Sequence, residues 1–349
     1  MRKQLLIAIF SLFAIPFTTF AQTEKPNRMT LHYKSGETQE FDLTNLDYVE
    51  FDHVTQTDTP SDSSEVILPK VGDYFYSDGT WSDGGLISID ANGCNAVWSE
   101  TKPAPIDGKT VIGIVFNTNP DRIAEADKEA GYTHGYVIGC KFIRDPQKSN
   151  YDQWPETVWY ADENYAKITS ISSSRNINTC YNNINGREET TSILAANDPK
   201  YYSSDIPLFY YGTSEYPVAA PEGTSGWFIP SVGQMWDCVA NFCSGEVATF
   251  LAGQTESTDD FTYYCTQQCE TDIPFEKFSA IFSLVPDADK DVVMIPDGSK
   301  GNYVSLATSS RYASDSRVIF NLGTNGCTLI EGMAGWLDEE VHSFPILAF

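Results

Sequence analysis

The chain is 349 residues long and carries 48 acidic residues against 22 basic ones, a formal net charge of −26. Hydrophobic residues make up 41% and aromatic residues 13%, which excludes a disordered acidic tail. So anionic a surface also excludes nucleic acid and anionic headgroups as partners, because both are held by summed positive potential.

Arg2 and Lys3 precede an apolar run at 5–17 and the small-residue site Thr19-Phe20-Ala21. This reads as a secretory signal peptide, residues 1–21, cleaved after Ala21. Cleavage leaves 20 basic against 48 acidic residues, a net charge of −28. No later apolar stretch reaches the roughly 18 residues that a membrane span needs, so no insertion is expected after cleavage. The expected location is outside the cytoplasm: periplasm, cell surface or medium.

Residues 22–53 form a short N-terminal β module. Within them "MTLHYKSGETQEFDLTNLDYVEFD" (29–52) alternates apolar and polar positions around the turn signal Ser35-Gly36-Glu37, which predicts a hairpin and a third short strand at 48–51. Residues 54–65, "VTQTDTPSDSSE", hold almost nothing that anchors a core and read as a linker. The main domain is expected to span 66–349.

That domain opens with "VGDYFYSDGTWSDG", in which Asp78-Gly79 predicts a tight hairpin turn. "TVIGIVFNT" (110–118) and "GYVIGCKF" (135–142) are β-branched runs of the kind found in buried central strands, with exposed helical turns between them in "DRIAEADKEA". Residues 143–226 turn rich in Asn, Ser, Tyr and Thr and predict a long ordered excursion with a helix near 186–196.

In "TSGWFIPSVGQMWDCVANF" a short strand at 227–229 ends on Pro230, which has no N–H to donate. Ser231 then stands at an N-cap position with Gln234 three residues on, the spacing of a capping box. Met235, Cys238, Val239 and Phe242 follow at helical spacing as a core-facing stripe. Ser231 is the one nucleophilic hydroxyl of this junction, and capping is its expected role.

"GWFIPSVGQM", "YVSLATSSRY" (303–312), "SRVIFNLGTNG" (316–326) and "HSFPILAF" (342–349) together resemble an exported Bacteroidetes-type C-terminal domain family. That family is related to the lectin-like C-terminal domains of bacterial collagen-like adhesins. "VGDYFYSDGTWS", "IGIVF" and "HGYVIGCKF" match the opening of its Bacteroidetes branch, so the likeness spans most of 70–349. It implies an α+β, C-type-lectin-like domain with paired N- and C-terminal strands, and adhesion rather than catalysis. Two positions depart from the family pattern: Val304 replaces a tryptophan and Phe344 an arginine.

Candidate chemistry is sparse. Asp287, Asp289 and Asp291 have the 1-3-5 spacing of a calcium loop, but Val292 and Gly298 stand where the loop needs glycine and glutamate. A solvated acidic turn is the competing reading, and calcium is the cofactor that these loops leave open. His32, His53, His134 and His342 lack zinc-ligand spacing. No nucleophile elbow or phosphate-cradling loop is present. Eight cysteines in an exported chain predict disulfides, with Cys265 and Cys269 each pairing with Cys238 or Cys243; buried thiols are the alternative.

The expected ligand surface is "NYDQWPETVWYADENY" (150–165), where Trp154, Trp159 and Tyr160 offer faces for sugar rings and Asp162 and Asn164 offer hydrogen bonds. The leading expectation is a non-catalytic adhesion module binding a glycan or a surface protein. Its alternative is a fimbria-like structural or surface-assembly subunit, as a homo-oligomer in which the hairpin pairs with a neighbour's strand edge.

Overall fold

The computed structural model describes residues 28–32, 38–42, 67–144, 173–259, 265–268, 273–291, 303–313, 316–324, 326–333 and 341–349. The chain divides into two compact units, residues 1–65 and 66–349. In the first, β1 (Arg28–His32) and β2 (Thr38–Asp42) pair antiparallel, with Met29 opposite Phe41. The expected hairpin is therefore present. Its turn at 35–37, the third strand expected at 48–51 and the linker at 54–65 lie outside the described residues.

The second unit is α+β. Its first sheet has the order β14-β8-β7-β3-β4, formed by β3 (Tyr74–Tyr76), β4 (Trp81–Ser82), β7 (Val111–Asn117), β8 (Tyr136–Gly139) and β14 (Ile346–Ala348), all antiparallel neighbours. A small ribbon joins β5 (Leu86–Ser88) to β6 (Val97–Trp98). The second sheet has the order β13-β10-β11-β12-β9, formed by β9 (Cys265–Gln268), β10 (Tyr303–Ala313), β11 (Ser316–Gly323), β12 (Gly326–Met333) and β13 (Val341–His342).

Helices α1 (Glu125–Glu129), α2 (Ile177–Asn182), α3 (Gly186–Ala196), α4 (Tyr202–Asp205), α5 (Pro207–Gly212), α6 (Val232–Cys243), α7 (Gly245–Gln254) and α8 (Pro274–Ile281) fill in around the sheets. The exposed turns expected between β7 and β8 are a 3-10 turn at Pro120–Arg122 and α1, and the helix expected near 186–196 is α3.

One expectation drawn from the family likeness is corrected. The terminal strands of the unit do not pair: β14 lies against β8, with Ile346 opposite Ile138 and Leu347 opposite Val137, while β3 sits two strands further along. The reason is hydrogen-bonding capacity. β3 is already bonded by β4 on one side and β7 on the other, so the closing strand docks on the edge that β8 leaves open. The two ends meet instead through rings, with Phe349 4.9 Å from Phe75 and 5.7 Å from Trp81 between centroids.

The first sheet is covered on both faces, which is why "VIGIVFN" reads as a continuous apolar run and all seven residues of β7 are buried. Tyr74, Ile114, Tyr136 and Ile138 pack toward α6, α8 and the second sheet. Phe75, Val115, Val137 and Leu347 pack the opposite way, with Leu208, Phe209 and Tyr211 of α5 and with Trp227. Val304 and Phe344, the two departures from the family pattern, are each 1% exposed. Phe344 stacks on Phe282 with 8° between ring planes.

α6 lies against β7 of the first sheet and against β10 and β11 of the second. The stripe expected on one face is consequently extended: every residue of α6 except Asn241 is buried, and Trp236 meets Phe320 edge-on at 6.1 Å. The strand expected at 227–229 shrinks to one bridge, Phe228 to Ile346. Beyond that rung, the Ile229 N–H donates to Thr190 Oγ1 at 3.1 Å.

The capping box at the start of α6 forms as expected: the Gln234 N–H donates to Ser231 Oγ, and the Ser231 N–H donates to Gln234 Oε1 at 2.9 Å. Tertiary neighbours satisfy the remaining N-terminal donors, which leaves no open anion site there. The Val232 N–H donates to Ser310 Oγ at 2.9 Å and the Gly233 N–H to Asn183 O at 2.8 Å. Gly233 is required by this approach, since a Cβ there would stand 2.6 Å from Tyr181 O and closer still to Asn183 O. Ser310 reaches α6 because β10 shifts register against β11 between Ala307 and Arg311. The same irregularity directs Ser309 and Ser310 to buried Glu189 of α3, at 2.5 and 3.1 Å.

The expected pairing of Cys238 in a disulfide is not found. Cys238 and Cys140 are thiols 1% exposed in the main core, and burial pushes both well above the usual thiol range. Cys180 and Cys243 donate Sγ–H bonds to Ser174 O and Pro274 O, both at 3.4 Å. These side chains act as small core residues.

Candidate functional site

The strongest candidate site is a cleft of about 260 Å³ where the end of β7, the 3-10 turn, α2 and α6 converge. β7 delivers Asn117, whose Oδ1 accepts from the Asn119 N–H at 2.8 Å. Asn119 in turn caps the 3-10 turn through the Asp121 N–H at 3.0 Å, which places Arg122 at the base of the cleft. One turn of α6 brings Asp237 and Asn241 to the same place, and α2 brings Tyr181.

Arg122 and Asp237 form an ion pair on the cleft floor, with Nε 3.0 and 3.1 Å from the two carboxylate oxygens. The side chains are only 11% and 10% exposed. The guanidinium also donates through Nη2 to Tyr181 O at 2.8 Å and to Gly233 O at 3.3 Å, and lies over the Tyr181 ring at 3.9 Å. Burial raises the Asp237 carboxyl to about 6, while Arg122 pulls it back down. Asn117 Nδ2 adds a 3.3 Å bond to Asp237 Oδ2. Cation–π stacking, the bifurcated Nε bond to Asp237 and the two carbonyl bonds of Nη2 fix the arginine in one pose.

Trp154, Trp159, Tyr160, Asp162 and Asn164 lie outside the described residues. Asp287, Asp289 and Asp291 serve three separate tasks. Asp287 is 3.6 Å from Lys290 Nζ; Asp289 accepts from the Val111 N–H at 3.2 Å; Asp291 accepts from the Phe142 N–H at 2.7 Å and pairs with Arg144 at 2.9 Å. No group of three or more His, Cys, Asp or Glu side chains stands ready for a metal ion among the described residues. Ser231 is a cap, and its hydroxyl donates to Asn183 O at 2.7 Å.

Sequence reasoning missed Arg122, Tyr181, Asp237 and Asn241. One signal was available: in "VGQMWDCVANFC" Asp237 is the only carboxylate, and a carboxylate in so apolar a helix requires a partner. Where that partner lay, no local pattern could say.

No protein-family model matches the chain, and no curated protein matches it. Among solved structures, it is similar to a fimbrial protein from Bacteroides ovatus at 17% identity and a TM-score of 0.41. The alignment covers 92% of this chain and 57% of that one, so the chain spans little more than half the fimbrial protein's length. Among the described residues, no helix is long and apolar enough to cross a membrane.

Proposed function

We propose that this protein is a non-catalytic subunit of a surface assembly, exported by residues 1–21 and joined to its neighbours through the N-terminal hairpin. The observation that carries this reading is the hairpin itself. Among the described residues, β1 and β2 pair only with each other, and two strands alone are marginal in water. A ribbon with no further strand beside it among the described residues gains most by adding to a strand edge of another copy. The polar groups that invite a catalytic reading, Ser231, Glu189 and Asp237, are occupied in holding elements together.

Adhesion to a glycan or surface protein through residues 150–165, the leading expectation from sequence, turns on side chains outside those described. Assembly is the reading with geometry behind it.

Sedimentation velocity on residues 22–349 and on the same protein lacking residues 22–55 tests the proposal. Concentration-dependent growth that disappears with the deletion is the expected result. Monomers in both samples at every concentration would overturn it, and a drop in melting temperature on deletion would then place the hairpin against its own chain.

A further inference from the structure

We infer that the cleft above Arg122 and Asp237 binds a small uncharged polyhydroxylated ring, the size of one monosaccharide. This site is independent of the assembly proposal.

Three observations lead there. The first is the hydrogen-bonding capacity left over once the internal bonds are counted. Arg122 has Nη1 without a protein partner, Asn119 has Nδ2 unused after capping with Oδ1, and Asn241 has Oδ1 unused after Nδ2 donates to Phe116 O at 2.7 Å. Asn92 at the rim makes no side-chain bond at all. A set mixing donors and acceptors matches hydroxyl groups, each of which both donates and accepts.

The second is the wall. Part-buried Tyr181 and Ile89 line the same cleft, backed by buried Val71 and Trp236, so the apolar C–H surface of a ring has somewhere to lie. Tyr181 and Trp236 hold each other edge-to-face at 5.7 Å, and Arg122 fixes the tyrosine from its face, so the wall is formed before any ligand arrives.

The third is charge. Arg122 is the cation of this cleft and is neutralised by Asp237, while Asp90 and Asp121 stand at the rim. With a chain at net −26, the local field disfavours phosphate, sulfate and carboxylate ligands. Asp90 is not itself a free ligand, because its oxygens already accept from the Asn92 and Cys94 N–H groups and from Asn95 Nδ2.

The experiment is protein-observed NMR on residues 22–349 titrated with glucose, galactose, mannose and N-acetylglucosamine, with glucuronate as the anionic comparison. Saturable shifts at Arg122 and Asn241 side-chain signals are expected for at least one neutral sugar, with a Kd on the order of 1 mM. Ala252→Phe, which fills the cleft without touching the ion pair, should weaken that binding at least tenfold. Asn92→Trp, which covers the mouth from an exposed position, gives the same reading if Ala252→Phe does not fold. Three results would overturn the inference: no saturation by any neutral sugar up to about 50 mM, binding unchanged in a folded cleft variant, or tighter binding of glucuronate than of its neutral counterpart.

Discussion

Arg122 and Asp237, 115 residues apart in sequence, meet as a buried ion pair that ties the segment after β7 to the second turn of α6. Breaking such a pair leaves one charge uncompensated in the interior. Arg122→Met and Asp237→Leu should each cost about 3–5 kcal/mol, and the double variant much less than their sum. Urea denaturation of the four proteins closes the cycle, and additive losses would show that the two groups do not couple.

The response to pH should run opposite to ordinary acid denaturation. Burial raises Asp73 to about 6 and pushes Glu189 up as well. Between about pH 4 and 6 the folded protein then holds more protons than the unfolded chain, so stability rises as pH falls through that window. Below it the gain ends, because the same carboxyls protonate in the unfolded chain too, and exposed Asp78, lowered to about 2 by Lys109 and Thr80, then begins to lose its partners. Melting temperature followed by circular dichroism should increase from pH 7.5 to 5. General repulsion acts in the same direction, so the scan is repeated in high salt, where Asp73→Asn should still flatten the slope.

The junction at Pro230 makes a sharper prediction. Ser231→Ala removes a cap and the acceptor and donor functions of a hydroxyl that is fully buried, for a loss of about 1–2 kcal/mol, while Ser231→Thr should recover part of it. Gly233→Ala drives a methyl into two backbone carbonyls and should cost about 1–3 kcal/mol or more. Equal stability of Gly233→Ala and wild type would mean that α2 does not lie against the start of α6.

Thiol accessibility tests the core cysteines directly. In the native protein, alkylation followed by mass spectrometry should leave Cys140 and Cys238 unmodified, and both should react after unfolding without any reductant. Half-exposed Cys94 should react first. Protection of Cys238 that persists in denaturant until reductant is added would restore the disulfide.

Local chemistry was legible in the sequence, and tertiary partnership was not. The capping box at Ser231 and Gln234, the helix at 186–196 and the run at 111–117 are each written within a few neighbouring residues, so pattern alone located them. The stripe Met235, Cys238, Val239 and Phe242 was real but told half the story, because a helix between two sheets buries its other faces too. Which strand β14 chooses depends on which edge remains open after β3, β4 and β7 have paired, a property of the assembled sheet. The cleft was invisible for the same reason, since Arg122, Tyr181 and Asp237 acquire meaning only once α2 and α6 are packed.

The docking of β14 on β8 also sets an order of events during synthesis. Residues 346–348 complete a sheet whose other strands leave the ribosome some two hundred residues earlier, so β8 must wait with a bare edge while everything between is made. Throughout that interval Tyr136, Val137 and Ile138 offer a β-branched, aromatic template to any extended chain nearby. The chain is thus most vulnerable to mispairing until β14 has docked on β8, and a holdase that shields this edge where the exported chain folds would protect it best.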